Sequence, residues 1–363
     1  MNSGGRLTSN DQVGQKRGRQ WTAPFCHHVT CRRTFVAPVR HCAFNSQHLS
    51  RAHDASGGSI FQYSLDCPEE TARHRLAGWL DGTELRWPGA FALRVAVSAT
   101  CPFGDDSRPA FRQADVEIQG GGTAEAPTRV TWLSSAAVAV ISAALPEAEI
   151  WLSRDAIEAL PSGERSFLLV VLVFVLRRLG WFHVHGASLV DPRGRGWLFA
   201  GDSHCGKSTT TALMATQGWQ VCTDDIGFVA RAQGHVELRG TRARIALRSG
   251  GHALVGAHGG LPLPDRDKRG YWPADFGSTW IPVVRPDIVV FPRLGERTAV
   301  QTARPRDALS QLIRWSHWVL YEPVHAQQHL DLLSALAAQS RCFELTLGPD
   351  LFDNPALLEA LVP

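Results

Sequence analysis

The sequence predicts an α/β fold, with a P-loop nucleotide-binding domain over residues 161–363 and a smaller mixed α/β lobe over 59–160. Three observations predict it. Helix-like and strand-like stretches follow one another through the second half of the chain, the pattern of layered α/β domains. An apolar strand, Trp197 to Ala200, runs straight into Gly201-Asp202-Ser203-His204-Cys205-Gly206-Lys207-Ser208-Thr209, which fits the pattern G-x4-G-K-S/T. A helix and a second short apolar strand then deliver Thr223-Asp224-Asp225.

The bulk numbers suit a folded domain of this size. Apolar residues make up 44% of the 363 positions and charged residues 20%. The net charge of +3 is unevenly placed, because residues 1–58 hold eight Arg/Lys against two acids, a net of +6, which leaves −3 for the rest. A fold that reads nucleic acid carries its positive charge on the folded part, so no nucleic-acid partner is expected. The eight cysteines lack paired spacing and no secretory signal is recognisable, so free thiols in a cytoplasmic protein are expected. The longest apolar run, Phe167 to Leu176, is too short to cross a bilayer and reads as a buried helix, so no membrane partner is expected.

Residues 1–58 show no sustained period and are read as a disordered tail. Their Cys26, His27, His28, Cys31, His41 and Cys42 match no closed four-ligand zinc spacing. From 59 to 160, short apolar stretches (Phe91 to Ser98, Val130 to Leu133, Glu149 to Leu152) alternate with turn residues and carry no recognisable chemistry. A helix is expected over about 164–179, closed by Gly180, then a strand from Phe182 to Val190. Asp191-Pro192-Arg193-Gly194 supplies the turn into the strand before the loop.

The loop's residue types fit a phosphate. Glycines let the backbone wrap an anion and aim successive N–H groups at it, and the helix starting near Lys207 adds its positive end. Lys207 can reach the β- and γ-phosphates and the Ser208 hydroxyl can ligate Mg²⁺, which makes ATP and Mg²⁺ the expected cofactors. All but three of the 37 Lys/Arg are Arg, and one of those three lysines sits at the position where a compact ammonium is wanted. A helix of about 11 residues descends roughly 16 Å at 1.5 Å per residue. A parallel strand of about five residues climbs back about as far at 3.3 Å each, returning Asp224 and Asp225 to the loop's edge. One carboxylate there can sit beside the metal and one can accept a proton from an attacking hydroxyl.

From His185-Gly186-Ala187 through the loop to Gly218-Trp219 and Asp224-Asp225, the chain resembles the HPr kinase/phosphorylase superfamily, whose nucleotide fold is also similar to phosphoenolpyruvate carboxykinase. Arg285 to Arg293, and Arg306-Asp307-Ala308-Leu309 with Leu312, resemble the closing strand and helix of shorter proteins related to HPr kinase. The resemblance implies an ATP-dependent serine kinase. Asp224 would be the general base, His185 would lie near the transferred phosphate, Lys207 would hold the phosphates, and Ser208 and Asp225 would face the metal. Glu237, in Glu237-Leu238-Arg239-Gly240, is similar to a family segment whose Glu helps hold Mg²⁺, although it follows Asp225 too soon.

The Gly-Ile-Ile-Asp-Val type of segment that follows in that family is absent, so the expected acceptor is a serine on a peptide or protein other than HPr. A loop from Ser249 to Trp272, ending near Asp265-Arg266-Asp267-Lys268-Arg269, suits a mobile cover over it. A small-molecule kinase or a carboxykinase-like phosphotransferase is the alternative within the fold. A nucleotide-dependent switch or a binding module without turnover is the alternative outside it, and a homo-oligomer is compatible with all of these. No Asn-Lys-x-Asp or Leu-Ser-Gly-Gly-Gln segment, the marks of GTPases and transport ATPases, occurs in the chain.

Overall fold

The organising feature is one helix with no polar side. In the computed structural model, which describes residues 49–50, 62–82, 90–103, 110–113, 115–120, 125–133, 136–159, 167–241, 244–263 and 267–362, ten of the eleven residues of helix Phe167–Arg177 are buried. A helix apolar all round must be covered all round. Its cover is an apolar cluster that includes Val116, Ile118 and Val130 from one sheet and Phe228, Ala230 and Trp318 from the other half of the chain. The described residues from Ser46 onward belong to one compact unit, and Met1–Asn45, with the whole His/Cys set, lies outside the described residues.

The first sheet has eight strands. In chain order these are β1 (Leu49–Ser50), β2 (Gln62–Asp66), β3 (Ala90–Val97), β4 (Ala110–Gln113), β5 (Val116–Gly120), β6 (Thr128–Trp132), β7 (Ala137–Ile141) and β8 (Glu147–Leu152). Helices α1 (Glu70–Gly82), α2 (Arg154–Ala159) and α3 (Phe167–Arg177) accompany them. The spatial order is β1-β2-β3-β8-β7-β6-β5-β4. It is parallel where α1 crosses from β2 to β3 and antiparallel along the hairpins from β4 to β8. Leu49 and Ser50 pair with Ser64 and Tyr63, so a short strand lies inside the stretch expected to be disordered.

The second sheet carries the glycine-bearing segment 201–209. Its strands are β9 (Phe182–Val190), β10 (Gly196–Ala200), β11 (Gln220–Thr223), β12 (Ile226–Ala232), β13 (His235–Gly240), β17 (Val283–Val284), β18 (Pro286–Leu294), β19 (Ala299–Thr302) and β20 (Arg341–Leu347). A separate three-stranded sheet holds β14 (Ile245–Arg248), β15 (Leu261–Pro262) and β16 (Lys268–Tyr271) in the order β14-β16-β15. The large sheet runs β17-β13-β12-β9-β10-β18-β20-β19, with β11 also on β9. Both its faces are covered, as the side-chain alternation requires. Trp197, Phe199, Ile288 and Val290 pack against α4 (Lys207–Thr216), α8 (Asp350–Asp353) and α9 (Leu357–Leu361). Leu198, Ala200, Val289 and Phe291 pack toward α6 (Pro305–Arg314) and α7 (Pro323–Gln339). The region expected as a mobile loop, Ser249 to Trp272, folds into α5 (Ser249–Leu254) and two strands instead, because Leu247 and Tyr271 are buried and anchor it.

Among the described residues no helix is long and apolar enough to cross a membrane, and Cys67, Cys101, Cys205, Cys222 and Cys342 are free thiols.

One buried carboxylate fastens the two halves. Glu322 accepts hydrogen bonds from Arg178 at 2.6 and 2.7 Å and from the Thr128 hydroxyl of β6, and it lies 3.5 Å from Arg177. Arg177 also donates to the carbonyls of Trp318 and Tyr321. Burial pushes the Arg177 guanidinium down to about 10. Burial also works against the Glu322 carboxylate, but hydrogen bonding and charge from Arg178 outweigh it and hold that group below its usual range. Removing one partner of such a cluster leaves buried charge uncompensated, at a cost of about 3–5 kcal/mol. Glu322→Gln is therefore expected to lower the urea unfolding free energy by an amount in that range. A loss under about 1 kcal/mol, the size of an exposed pair, would show that the cluster is not what joins the halves.

Candidate functional site

Three strand ends meet at Gly186. Gly186 in β9 pairs with Ala200, the last residue of β10 before the loop, and its N–H donates to the Asp225 carbonyl at 3.0 Å. A Cβ at this position would stand 2.7 Å from the Phe199 carbonyl oxygen, so the close approach of β10 requires glycine. Strand β11 runs in the same sense as β10, as expected of a crossover, but its hydrogen-bonded neighbour is β9, to which both are antiparallel. Asp224 and Asp225 form the bend where β11 gives way to β12, between the pairs Thr223↔Ser188 and Ile226↔His185. The carboxylates arrive at the loop's edge through that bend.

The loop closes onto Lys207. Its ammonium, with the residue only 6% exposed, donates to the carbonyls of Gly201 at 2.9 Å and Asp202 at 2.7 Å. It also lies 3.2 Å from Nε2 of His185. The other ring nitrogen of His185, Nδ1, is 3.2 Å from Oδ1 of Asp225. One proton arrangement satisfies both contacts: Nδ1–H donates to Asp225 and the Nε2 lone pair accepts from Lys207. Burial and then the charge of Lys207 lower the His185 pKa, against an upward pull from Asp225, which keeps the ring in that neutral form. Gly206, the N-cap of α4, takes the left-handed conformation, φ 95°, and has no side chain with which to cap the helix. His204 is also left-handed, φ 70°, an uncommon state for a residue with a Cβ.

Asp224 is set apart from this chain of contacts. It is 2% exposed. Its Oδ2 accepts from the Ala246 N–H of β14 at 3.1 Å, while Oδ1 is buried without a partner. Desolvation raises its pKa to about 6, with the Asp225 charge adding to the rise and Ala246, Ser208 and Lys207 opposing it. A buried carboxyl with a spare oxygen beside a second carboxylate is an arrangement found where protons or cations are handled.

These groups line one cleft of about 1200 Å³. The loop and helix side contributes Ser203, His204, Gly206, Lys207, Ser208 and Thr209, and the strand ends contribute Asp224 and Asp225. Strands β14 and β16 form a further wall with Arg244, Arg248 and Lys268, joined by Trp272 just beyond β16. Gly201, Asp202, Cys205 and His185 do not line it, although the first two hold Lys207 through their carbonyls and His185 holds it through its ring. Glu237 is not brought to the carboxylates. It pairs with Ala230 in the β12–β13 ladder and lies 3.4 Å from Arg239 and 3.5 Å from His235. Among the described residues no group of three or more His, Cys, Asp or Glu side chains is arranged to hold a metal.

Two parts of the site escaped the sequence reading. His317, 132 positions from His185 in the chain, stacks on its ring with centroids 5.5 Å apart, and Asp202, Asp225 and Lys207 all lie within its electrostatic reach. Nothing in its surroundings, Trp315-Ser316-His317-Trp318, follows a motif. The spacing of Arg244, just before β14, and Arg248 at its end was legible in principle as an alternating stretch, Arg244-Ile245-Ala246-Leu247-Arg248, with both arginines on one face.

Comparison with known proteins gives little beyond this. No family model matches the chain, and no curated protein matches it. Among solved structures, the chain is similar to the Hpr(Ser) kinase/phosphatase from Coxiella burnetii at 15% identity and a TM-score of 0.27, over 50% of this chain and 87% of that one.

Proposed function

We propose that the chain binds ATP with Mg²⁺ at the loop Gly201–Thr209 and transfers the γ-phosphoryl group to a serine hydroxyl of a peptide or protein. The observation that carries this reading is Asp224. A buried carboxyl with a free oxygen faces the same cleft as Lys207 and an uncapped helix N-terminus. A nucleotide-binding module or switch has no need of a carboxyl tuned in this way, whereas transfer to a neutral hydroxyl needs a base.

The residues fit the groups they would hold. Uncapped N–H donors and the Lys207 ammonium suit a triphosphate, once the ammonium exchanges its loop carbonyls for phosphate oxygens. Ser208 with Asp225 suits Mg²⁺, which takes few protein ligands when phosphate supplies the rest. The metal would supply neutralisation of charge on the transferring phosphoryl group. Asp224 would accept the hydroxyl proton on Oδ1, held in place by the Ala246 N–H on Oδ2. The Asp225–His185–Lys207 chain would fix where the ammonium points.

The raised pKa of Asp224 has a second consequence. In the window from the unfolded carboxyl value, near 3.9, up to about 6, the folded chain holds a proton that the unfolded chain has lost. Stability therefore falls as pH rises through that window, and ionised Asp224 remains a burden above it.

Four outcomes are expected. Lys207→Ala should lose most affinity for Mg-ATP in calorimetry while keeping the circular dichroism of the parent, and undiminished affinity would remove the loop from the site. Asp224→Asn should still bind Mg-ATP but transfer roughly 10²–10⁴-fold more slowly, the usual worth of a positioned base. The parent's rate should fall as pH drops through about 6, and a crippled Asp225→Asn beside an active Asp224→Asn would reverse the two roles. Finally, Asp224→Asn should melt at a higher temperature than the parent at pH 8, with that advantage reduced at pH 5 and lost only below about pH 3.9. An equal difference at both pH values would mean that Asp224 is not held with a raised pKa.

A further inference from the structure

The wall of the cleft formed by β14 and β16 has an organisation that the nucleotide does not explain. Ile245 and Leu247 are fully buried, facing the core beside Tyr271. Strand alternation therefore puts Arg244, Ala246 and Arg248 on the other face, and all three line the cleft. The paired strand repeats the pattern, with Lys268 opposite Arg248 and Gly270 opposite Ala246. Trp272, just beyond β16, also lines the cleft.

The centre of this face is small and its flanks are cationic. The Arg244 side chain crosses Gly270, where a Cβ would meet its Cδ at 2.8 Å, and its guanidinium stands 5.0 Å over the Trp272 ring. Arg248 lies 3.4 Å from Asp267, a pair whose side chains are 41% and 76% exposed. An exposed pair of this kind holds little free energy and exchanges readily for another carboxylate. Among the described residues, the charged side chains lining the cleft are four cations, Lys207, Arg244, Arg248 and Lys268, against Asp224 and Asp225. Two of the chain's three lysines are among them.

The register fixes what these cations can serve. The Ala246 N–H donates to Asp224, so the proposed base sits at the open edge of β14, level with the middle residue of the face. Arg244 and Arg248 lie two residues to either side, about 6.6 Å each way at 3.3 Å per residue. Ser208 and the helix N-terminus lie on α4, and the basic strand approaches Asp224 from β14. An extended peptide whose serine reaches Asp224 repeats the same geometry, since its same-face neighbours also stand two residues away.

We propose that this face is the acceptor subsite and selects a serine peptide with carboxylate side chains two positions before and after the serine. The proposal rests on the reading of Asp224 as the base. Arg244 and Arg248 hold the two carboxylates as charge-assisted pairs, and Lys268 adds a third cation beside Arg248.

The test uses the full chain with Mg-ATP and two extended serine peptides, identical except for glutamate or glutamine at those two positions. The glutamate peptide is expected to have a KM lower by about tenfold, with the advantage shrinking as salt rises. Changing both arginines to glutamine should abolish the difference without altering Mg-ATP affinity. Changing both to glutamate should shift preference to a peptide with lysine at the same positions. Equal KM for the two peptides with the parent chain would overturn the subsite, as would a loss of Mg-ATP affinity in the arginine variants with peptide preference retained. If no peptide is labelled at all, anisotropy of the fluorescent peptides on the chain saturated with a non-hydrolysable ATP analogue separates the two ideas. Preferential, arginine-dependent binding of the glutamate peptide keeps the subsite while the transfer reading falls, and equal binding of both peptides removes the subsite.

Discussion

Two guanidiniums buried against one carboxylate govern how this chain is put together. Arg177 ends α3, the apolar helix shared by both sheets, Arg178 follows it, and both reach Glu322. Neither arginine could be left in that interior without a counter-charge, because the desolvation cost of an unpaired ion far exceeds what packing returns. Glu322 in turn binds β6 through Thr128, and Tyr321 donates to the Ile118 carbonyl of β5 at 2.7 Å. The segment from Trp318 to Glu322 is thereby pinned between the first sheet and α3, and Trp315 to His317 reach the site from its N-terminal side. The His185 N–H donates to the Trp315 carbonyl and the His317 ring lies on the His185 ring. A cluster with no chemistry of its own thus sets the position of a histidine that holds Lys207.

Charge is handled in two ways at the site. Lys207, His185 and Asp225 form a chain in which every contact has a partner, and it fixes the ammonium. Asp224, next in sequence to Asp225, is left with an unpartnered buried oxygen. Adjacent residues at a bend point to different sides, so one carboxylate can be spent on structure and its neighbour kept reactive. The unpartnered oxygen is a local instability of the folded state, the kind of defect expected where an interior group serves chemistry rather than packing.

Much of this was legible in the sequence where local rules dominate. The β9–β10 hairpin, the loop and α4 fell close to their expected bounds, because glycine and proline punctuation and apolar alternation act over a few residues. Gly194 and Gly218 take the positive φ values their turns require. Lys207, Ser208, Asp224 and Asp225 were named from motif and spacing and His185 from the family resemblance, and the structure brings them together. Glu237 was not brought in, because the β12–β13 ladder sets it opposite Ala230, several residues along the strands from the Asp224 bend. The region after Ser249 was read as a cover because glycine and proline crowd it. It holds α5, β15 and β16 instead, with Tyr271 buried beside Leu247 of the preceding strand.

The sequence by itself determined the loop, its lysine, its paired carboxylates and the order of strands and helix that carries them, since each depends on neighbours within about one turn or one strand. Tertiary structure alone decided which carboxylate is buried, that His317 lies on His185, and that Arg244 and Arg248 flank Asp224. Those outcomes depend on which distant segments desolvate a group or stack upon it. Burial and register are set by the packing of whole sheets, and no local pattern along the chain encodes them.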